Sequence, residues 1–408
     1  MTANLSRATG PISTHHPKAC TTADDWVNWF WSDFLPAWSL RARDPDGIGF
    51  FDVLDIDATP PQPDRKTILA QARLLFTFSH LALMSDNPAF HTAARDARDA
   101  LPFFRKSTGL YCRAVARDGT LGRDTKDQIA TSYDQCFVIL ALSTWGRLHP
   151  SEDIAPELES SWAAIETHLL DADTGLLLEH DAVADPTDPL APNRAQNPHM
   201  HLYEACLQAF NMTGQPVWLE RAQGMRAKGL EYFFDADSGT ITEFLSPDLK
   251  TLPDRDGLRR EIGHQCEWAW LLLREVDLGG DPAMRNVAER LLAFADQHGF
   301  AAEGVMQGAA FDAVSADASW REDTFLLWPQ TEVLKTYAVR AFDEEHADSA
   351  KALVQLIFRQ YFGGQNAFIN QLDTQGKPIW PEALSRLHYH LVLALTEGGQ
   401  VGLWPNPK

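Results

Sequence analysis

Two short segments, NPHMHLYEA at 197–205 and GHQCEWAW at 263–270, each set a histidine three residues before a glutamate, and the two histidines stand 63 residues apart. Positions i and i+3 share a helix face, so His201 with Glu204 and His264 with Glu267 form two imidazole–carboxylate units if both segments are helical. Such units move protons near neutral pH. In the first segment Asn197 stands where an N-cap would be and Pro198 at the first helical position, which puts His201 in or just past the first turn. In the second, Gly263 precedes an apolar helical run and His264 again lies near its start. The positive end of a helix dipole disfavours imidazolium, which predicts a neutral His264 able to accept a proton. Glu267 then reads as the group that orients or charges His264.

The same phase runs on beyond these two segments. Arg73, in QARLLFTFS, is followed after 60 residues by Tyr133 in YDQCF, and His201 comes 68 residues later. After His264 the series continues with Trp328 in LWPQTEVLK, 64 residues on, and His390 in HYHLVLAL, another 62. One polar or aromatic group per repeat, at equivalent helix positions, would line a common pocket.

The elements that must hold these groups repeat at the same interval. Glycine-led, partly alternating stretches begin at 47, 109, 175, 239, 304 and 364. Between them lie segments such as TILAQARLLFTFSHLALM, QCFVILALSTWGRL, HLYEACLQAFNMT and EVLKTYAVRAF, with apolar residues at helical spacing. Two helices fit each interval, so six units predict about twelve helices in an (α/α)6 barrel, with short β-hairpins at one rim. Open helical solenoids repeat at shorter periods, roughly 34 to 47 residues. Turns at Asp118, Asp173 and Asp237 punctuate the rim. Residues 1–24 read as a polar N-terminal segment and 25–408 as a single catalytic barrel.

Composition narrows the function classes. Thirteen tryptophans with 45% hydrophobic and 22% charged residues fit a globular enzyme with aromatic-rich pockets. A net charge of −21 argues against nucleic acid or anionic membrane as partner. Five scattered cysteines without C-x-x-C spacing, no signal peptide and no long apolar run predict a cytoplasmic protein. Asn4 and Asn211 match the glycosylation pattern by chance on that reading.

Several chemistries compete for the histidine–glutamate units. A dimetal site uses paired Glu-x-x-His motifs, here in reversed order, and no H-E-x-x-H occurs. Glycoside hydrolysis needs two opposed carboxylates, for which Glu204, Glu267 and Glu332 are available, though each sits beside a histidine or inside a helix. No G-x-S-x-G elbow and no Walker or Rossmann glycine loop is present, so no cofactor is predicted.

At NPHMHLYEA, GHQCEWAW, WPQTE and YHL the chain closely resembles the N-acylglucosamine 2-epimerase superfamily, from about Trp26 to about Leu395. The resemblance implies an (α/α)6 barrel that isomerises or epimerises reducing sugars without a metal. It makes His264 and His390 the acid/base pair, with Glu267 beside the first. Asn197, His201, Arg73 and Trp328 match sugar-contacting positions, and Tyr133 matches the tyrosine of the YDQ segment. Arg386, one turn before His390, stands where members of the family differ and bears on specificity. Together with the short HYHLVLALTEGG ending it points to the mannose isomerase branch. The reaction implied is interconversion of D-mannose and D-fructose, or of D-lyxose and D-xylulose, through ring opening and a cis-enediolate. Alternatives are 2-epimerisation, of mannose to glucose or of the N-acylglucosamine type, and a non-catalytic carbohydrate-binding role. A sulfonated sugar would require an additional cationic contact. A homodimer is common among such proteins.

Overall fold

The structure is a computed structural model that describes residues 20–55, 57–60, 64–122, 124–362 and 367–408. Most of the expected N-terminal polar segment, with Asn4, lies outside the described residues. Its end is already structured: Thr22 caps a helix beginning at Ala23, and the Asp25 carboxylate accepts the Thr21 and Thr22 backbone N–H groups.

Long helices alternate along the chain. α1 runs from Ala23–Trp29 through a π-helical turn, Phe30–Phe34, into Leu35–Ala42. Then follow α2 (Ile68–Met84), α3 (Pro88–Ala100), α4 (Ser132–Leu148), α5 (Ala155–His168), α6 (Asn197–Thr213) and α7 (Pro216–Phe233). The last five are α8 (Ile262–Asp277), α9 (Met284–His298), α10 (Leu327–Val339), α11 (Glu344–Ile357) and α12 (His388–Gln400). α2, α4, α6, α8, α10 and α12 each pack on the next, and α12 packs back on α2, which closes an inner ring. The odd-numbered helices lie outside it. This is the (α/α)6 barrel that the period predicts.

Inner and outer helices differ in pattern for a physical reason. The inner α2 is flanked on all sides, so it buries Leu74, Leu75, Phe76 and Phe78 together with polar Gln71, Arg73, Thr77 and Ser79. The outer α3 buries only Phe90, Ala93, Ala94, Ala97 and Ala100, one amphipathic stripe. α1 completes the outer ring late in space though first in sequence. Trp26 stacks on Phe358, Trp29 meets Phe362 edge-on, and Trp38 packs against His388 at the start of α12.

Short antiparallel strands tie one rim together. Arg65–Thr67 pairs with Ala114–Ala116, Arg194–Ala195 with Phe244–Leu245, Arg259–Glu261 with Ala313–Ser315, and Phe325–Leu326 with Gln371–Leu372. Each pair joins the residues before an inner helix to the rim segment of the following unit. Val53–Leu54 with Ala383–Leu384 closes the circle between the two ends of the chain.

Two recurrent devices fix the inner-helix starts. Four inner helices carry a glutamine at their fourth residue whose amide clasps both backbone groups of one rim residue: Gln71 on Phe50, Gln135 on Tyr111, Gln265 on Ile241 and Gln330 on Ala310. A rim carboxylate also accepts a backbone N–H just ahead of an inner helix: Asp52 from Thr67, Glu179 from Ala195, Glu243 from Glu261 and Asp312 from Leu326. These bonds satisfy buried polar groups and set the depth of each helix start, and so of the side chains on its first two turns.

Candidate active site

The starts of the inner helices surround a cavity of about 560 Å³. All nine residues singled out from the sequence line it: Arg73, Tyr133, Asn197, His201, His264, Glu267, Trp328, Arg386 and His390. Arg113, Glu179, His180, Glu261 and Trp380 join them from the rim. A larger surface cleft, about 800 Å³ beside residues 44–49, contains none of the nine.

Trp328 packs against both histidines, with its ring centroid 4.8 Å from that of His264 and 5.9 Å from that of His390. Gly263 makes this possible, because a Cβ there would meet the Trp328 ring at 2.3 Å.

The carboxylate partner of His264 is not Glu267. His264 Nδ1 lies 2.7 Å from Glu243 Oε2 and 3.4 Å from Glu261 Oε2, both on the rim side of the helix. Glu243 is itself held by the Glu261 N–H and the Gln196 side-chain amide. Glu267 makes no hydrogen bond to His264, and its Oε1 stands 3.9 Å from both His201 Nδ1 and Lys335 Nζ. The predicted neutrality of His264 is overturned as well. Burial alone would depress its pKa, but Glu243, Glu261 and the hydrogen bond to Glu243 raise it to about 9. A rise from 6.5 to about 9 corresponds to about 3 kcal/mol, against the roughly 0.3–1 kcal/mol of a helix dipole, so the carboxylates win. With Nδ1–H held by a carboxylate, the proton that His264 can lose is on Nε2.

His390 is biased the other way. Its Nδ1 lies 2.8 Å from Glu332 Oε1, which keeps a proton on that nitrogen. Its Nε2 lies 3.3 Å from Arg73 Nη1, a group that can only donate, so Nε2 accepts. Burial, then the charges of Arg73 and Lys335, push the pKa of His390 well below 6.5. Arg73 also donates to the Tyr133 hydroxyl at 2.6 Å and lies over the Phe137 ring.

His201 sits deeper in the wall. Its Nδ1 is 3.0 Å from Glu204 Oε2, which also accepts from the Tyr389 hydroxyl. Burial outweighs Glu204 and lowers His201 to about 4, so the ring is neutral. The two His-x-x-Glu units are therefore not equivalent: the first makes its internal hydrogen bond and the second does not. Asn197 is the first residue of α6 rather than its cap, which is Gln196. Asn197 Oδ1 and both oxygens of Glu267 are buried without hydrogen-bond partners among the described residues. Burial and the neighbouring Glu332 push the pKa of Glu267 well above 4.5. Arg386 makes no hydrogen bond or ion pair among the described residues. These groups keep unused hydrogen-bonding capacity at the cavity wall.

Three clusters could geometrically hold a metal: His201 with Glu204 and Glu267, Glu243 with Glu261 and His264, and Glu267 with Glu332 and His390. In each, the histidine Nδ1 is already bonded to a carboxylate, and Lys335 adds a cation beside the third.

Sequence reasoning missed Glu243 as the partner of His264, and Arg113 and Glu179 as cavity residues. A signal for all three existed. Gly109, Gly175, Gly239 and Gly308 all have positive φ, and a charged residue follows each at the fourth position: Arg113, Glu179, Glu243 and Asp312.

Comparison with known proteins agrees with this architecture. The model of the family N-acylglucosamine 2-epimerase (GlcNAc 2-epimerase) matches residues 49–394. A protein of Rhizobium meliloti (strain 1021) named mannose-6-phosphate isomerase is 30% identical over 319 residues, 77% of this chain and 78% of its own. The D-mannose isomerase of Marinomonas mediterranea is 28% identical over 242 residues, 56% of this chain and 59% of its own. Among solved structures, cellobiose 2-epimerase from Bacillus thermoamylovorans B4167 superposes with a TM-score of 0.78 at 16% identity, covering 92% of this chain and 98% of that one. Among the described residues no helix is long and apolar enough to cross a membrane. With the closed ring, the cavity and the family match in agreement, the chain belongs to the N-acylglucosamine 2-epimerase family and is a sugar isomerase or epimerase.

Proposed function

We propose that this protein is a metal-independent aldose–ketose isomerase that interconverts D-mannose and D-fructose. The observation that carries the reading is the opposed setting of two histidines that line one cavity: His264 with Nδ1 beside the Glu243 and Glu261 carboxylates, and His390 with Nδ1 on Glu332 and an unprotonated Nε2 facing Arg73. Two groups whose environments drive their pKa values apart are an acid and a base at the same pH.

The steps follow from those states. His264 gives its Nε2 proton to the ring oxygen as the sugar opens and regains one from the anomeric hydroxyl. His390 Nε2 then takes the C2 proton of the aldehyde while His264 protonates O1, passing through the cis-enediolate. Arg73, 3.3 Å from that nitrogen, stabilises the oxygen on which charge develops. His390 returns its proton to C1 as the O2 hydroxyl proton passes back to His264, which leaves the ketose and restores both histidines. Asn197, Glu267, His201 and Arg386 hold the remaining hydroxyls, with Tyr133 and Trp328 as walls.

The second reading, 2-epimerisation of mannose to glucose, is favoured by the two histidines standing on different helices, α8 and α12, with separate carboxylate partners. An acid distinct from the base could deliver a proton to the opposite face of C2. The test is incubation with D-mannose, and in parallel mannose 6-phosphate, in deuterium oxide with NMR of products and C2 label. Fructose supports the isomerase, and glucose without ketose supports the epimerase. Turnover of the phosphorylated sugar alone moves the substrate class. No turnover and no label with either sugar refutes the reading.

A further inference from the structure

Below the cavity lies a layer of charge that the proton-transfer steps do not use. Lys335, on α10, is 0% exposed, as are Glu332 and Glu267. Neither Lys335 nor Glu332 lines the cavity. The Lys335 ammonium forms an ion pair with Glu332 Oε2, stands 3.9 Å from Glu267 Oε1, and lies 3.9 Å from the centroid of the Trp270 ring. The other oxygen of Glu332 takes His390 Nδ1 at 2.8 Å. Lysine, carboxylate and imidazole thus form one line from the closed interior to the cavity wall.

We propose that Lys335 is a positioning residue whose ammonium locks the Glu332 carboxylate against the Nδ1 side of His390, so that Nε2 faces the cavity unprotonated, as a base. This inference rests on the proton-transfer reading and names what sustains it. Burial and the nearby Glu204 push the Glu332 pKa up even with Lys335 beside it, so without the ammonium the carboxyl would take up a proton more readily. A protonated Glu332 would donate to Nδ1 and drive the imidazole proton to Nε2, which ends its service as a base. Lys335 opposes this, and the carboxylates around it hold its own pKa above 10.5 despite burial.

The groups facing this line come from every inner element around it. They are Glu332 on α10, Glu267 on α8, Glu204 and His201 on α6, His390 and Tyr389 on α12, and Arg73 on α2. The hydrogen bonds from His201 and Tyr389 and the Lys335 charge favour an ionised Glu204 in spite of burial, whereas burial and Glu332 push Glu267 toward its neutral form. Lys335 and Arg73 bring positive charge to this group of carboxyls and both oppose a proton on His390. Removing the lysine takes away one positive charge, and the Glu332–His390 pair then gains a proton at higher pH.

The experiment compares full-length wild type, Lys335→Met and Lys335→Arg by the pH dependence of kcat/KM and by solvent deuterium incorporation into the sugar. For Lys335→Met the acid limb moves up by about one pH unit or more, and kcat near pH 6 falls about tenfold or more with KM changed less than about threefold. Lys335→Arg keeps the limb in place whatever its rate. A Lys335→Met profile of wild-type shape, scaled down uniformly, overturns the proposal and leaves the lysine a packing residue. Should that variant fail to fold, imidazole-15N NMR of the wild type decides, with His390→Gln to assign the signals. A His390 ring protonated on Nδ1 alone from pH 7 down to about pH 5 supports the proposal, and one protonated on Nε2 in that range overturns it. Wild type that exchanges no label with any sugar tested refutes the proton-transfer reading itself, whereas an active wild type with an unmoved limb in Lys335→Met refutes only the role of the lysine.

Discussion

Replacing Glu243 with glutamine separates the charge on the His264 partner from its shape. In the wild type, Glu243 Oε2 takes His264 Nδ1 at 2.7 Å and the Gln196 amide at 3.1 Å, and the other oxygen takes the Glu261 N–H at 2.9 Å. Burial lowers the pKa of His264, and Glu243 and then Glu261 reverse this to reach about 9. With Glu261 still 3.4 Å away, loss of the Glu243 charge brings His264 down by about two units, to roughly 7. At pH 8 the protonated fraction then drops from about nine-tenths to about one-tenth, while at pH 6 it stays near complete in both proteins. The expected result is a kcat/KM that is about tenfold more impaired at pH 8 than at pH 6, with the alkaline limb shifted from near 9 to near 7. Stability carries the same signature. Because the folded-state pKa of His264 is raised, its contribution of about 3 kcal/mol is fully present below the unfolded value of about 6.5 and is lost as pH climbs through about 9. Glu243→Gln should therefore melt below wild type at pH 6, and the gap should close toward pH 10. An alkaline limb in its wild-type position, or equal loss at every pH, would show that Glu243 does not set the charge of His264.

Three further results are expected. His264→Ala and His390→Ala should each lower turnover by at least about 10²-fold while circular dichroism and melting stay close to wild type, and near-normal activity in either removes that histidine from the pair. Gly263→Ala should push its new Cβ against the Trp328 ring and the Pro329 Cα, 3.0 Å away, costing about 1–3 kcal/mol of stability and raising KM, as thermal melts and initial rates will show. Dialysis against a chelator should leave kcat unchanged, because each candidate cluster already commits its histidine to a carboxylate, and loss restored by a divalent ion would reverse that reading.

The barrel was legible in the sequence because its period is local arithmetic. Glycine-led turns and helical apolar runs recur near every sixty-four residues, and equivalent positions on inner helices must face one axis. For that reason Arg73, Tyr133, His201, His264, Trp328 and His390 could be assigned to one pocket before any coordinates. The glutamines of the clasps at 71, 135, 265 and 330 carry the same period, as do the charged residues four past the positive-φ glycines, among them Glu243.

Partnership was not legible, because it joins different elements of the ring. Neighbours within a helix suggested Glu267 for His264, yet the partner is Glu243, 21 residues back on the rim. His390 bonds Glu332, 58 residues away, and reaches Arg73 at a separation of 317. Glu204 receives Tyr389 from 185 residues along the chain. A helix face specifies direction only, whereas a hydrogen bond needs the depth and rotation of both helices, which ring closure sets. Charge state follows the same logic. Sequence determined which residue types meet at the cavity, and tertiary structure decided which of them hold protons, because burial and the count of carboxylates within a few ångströms outweigh the dipole of a helix.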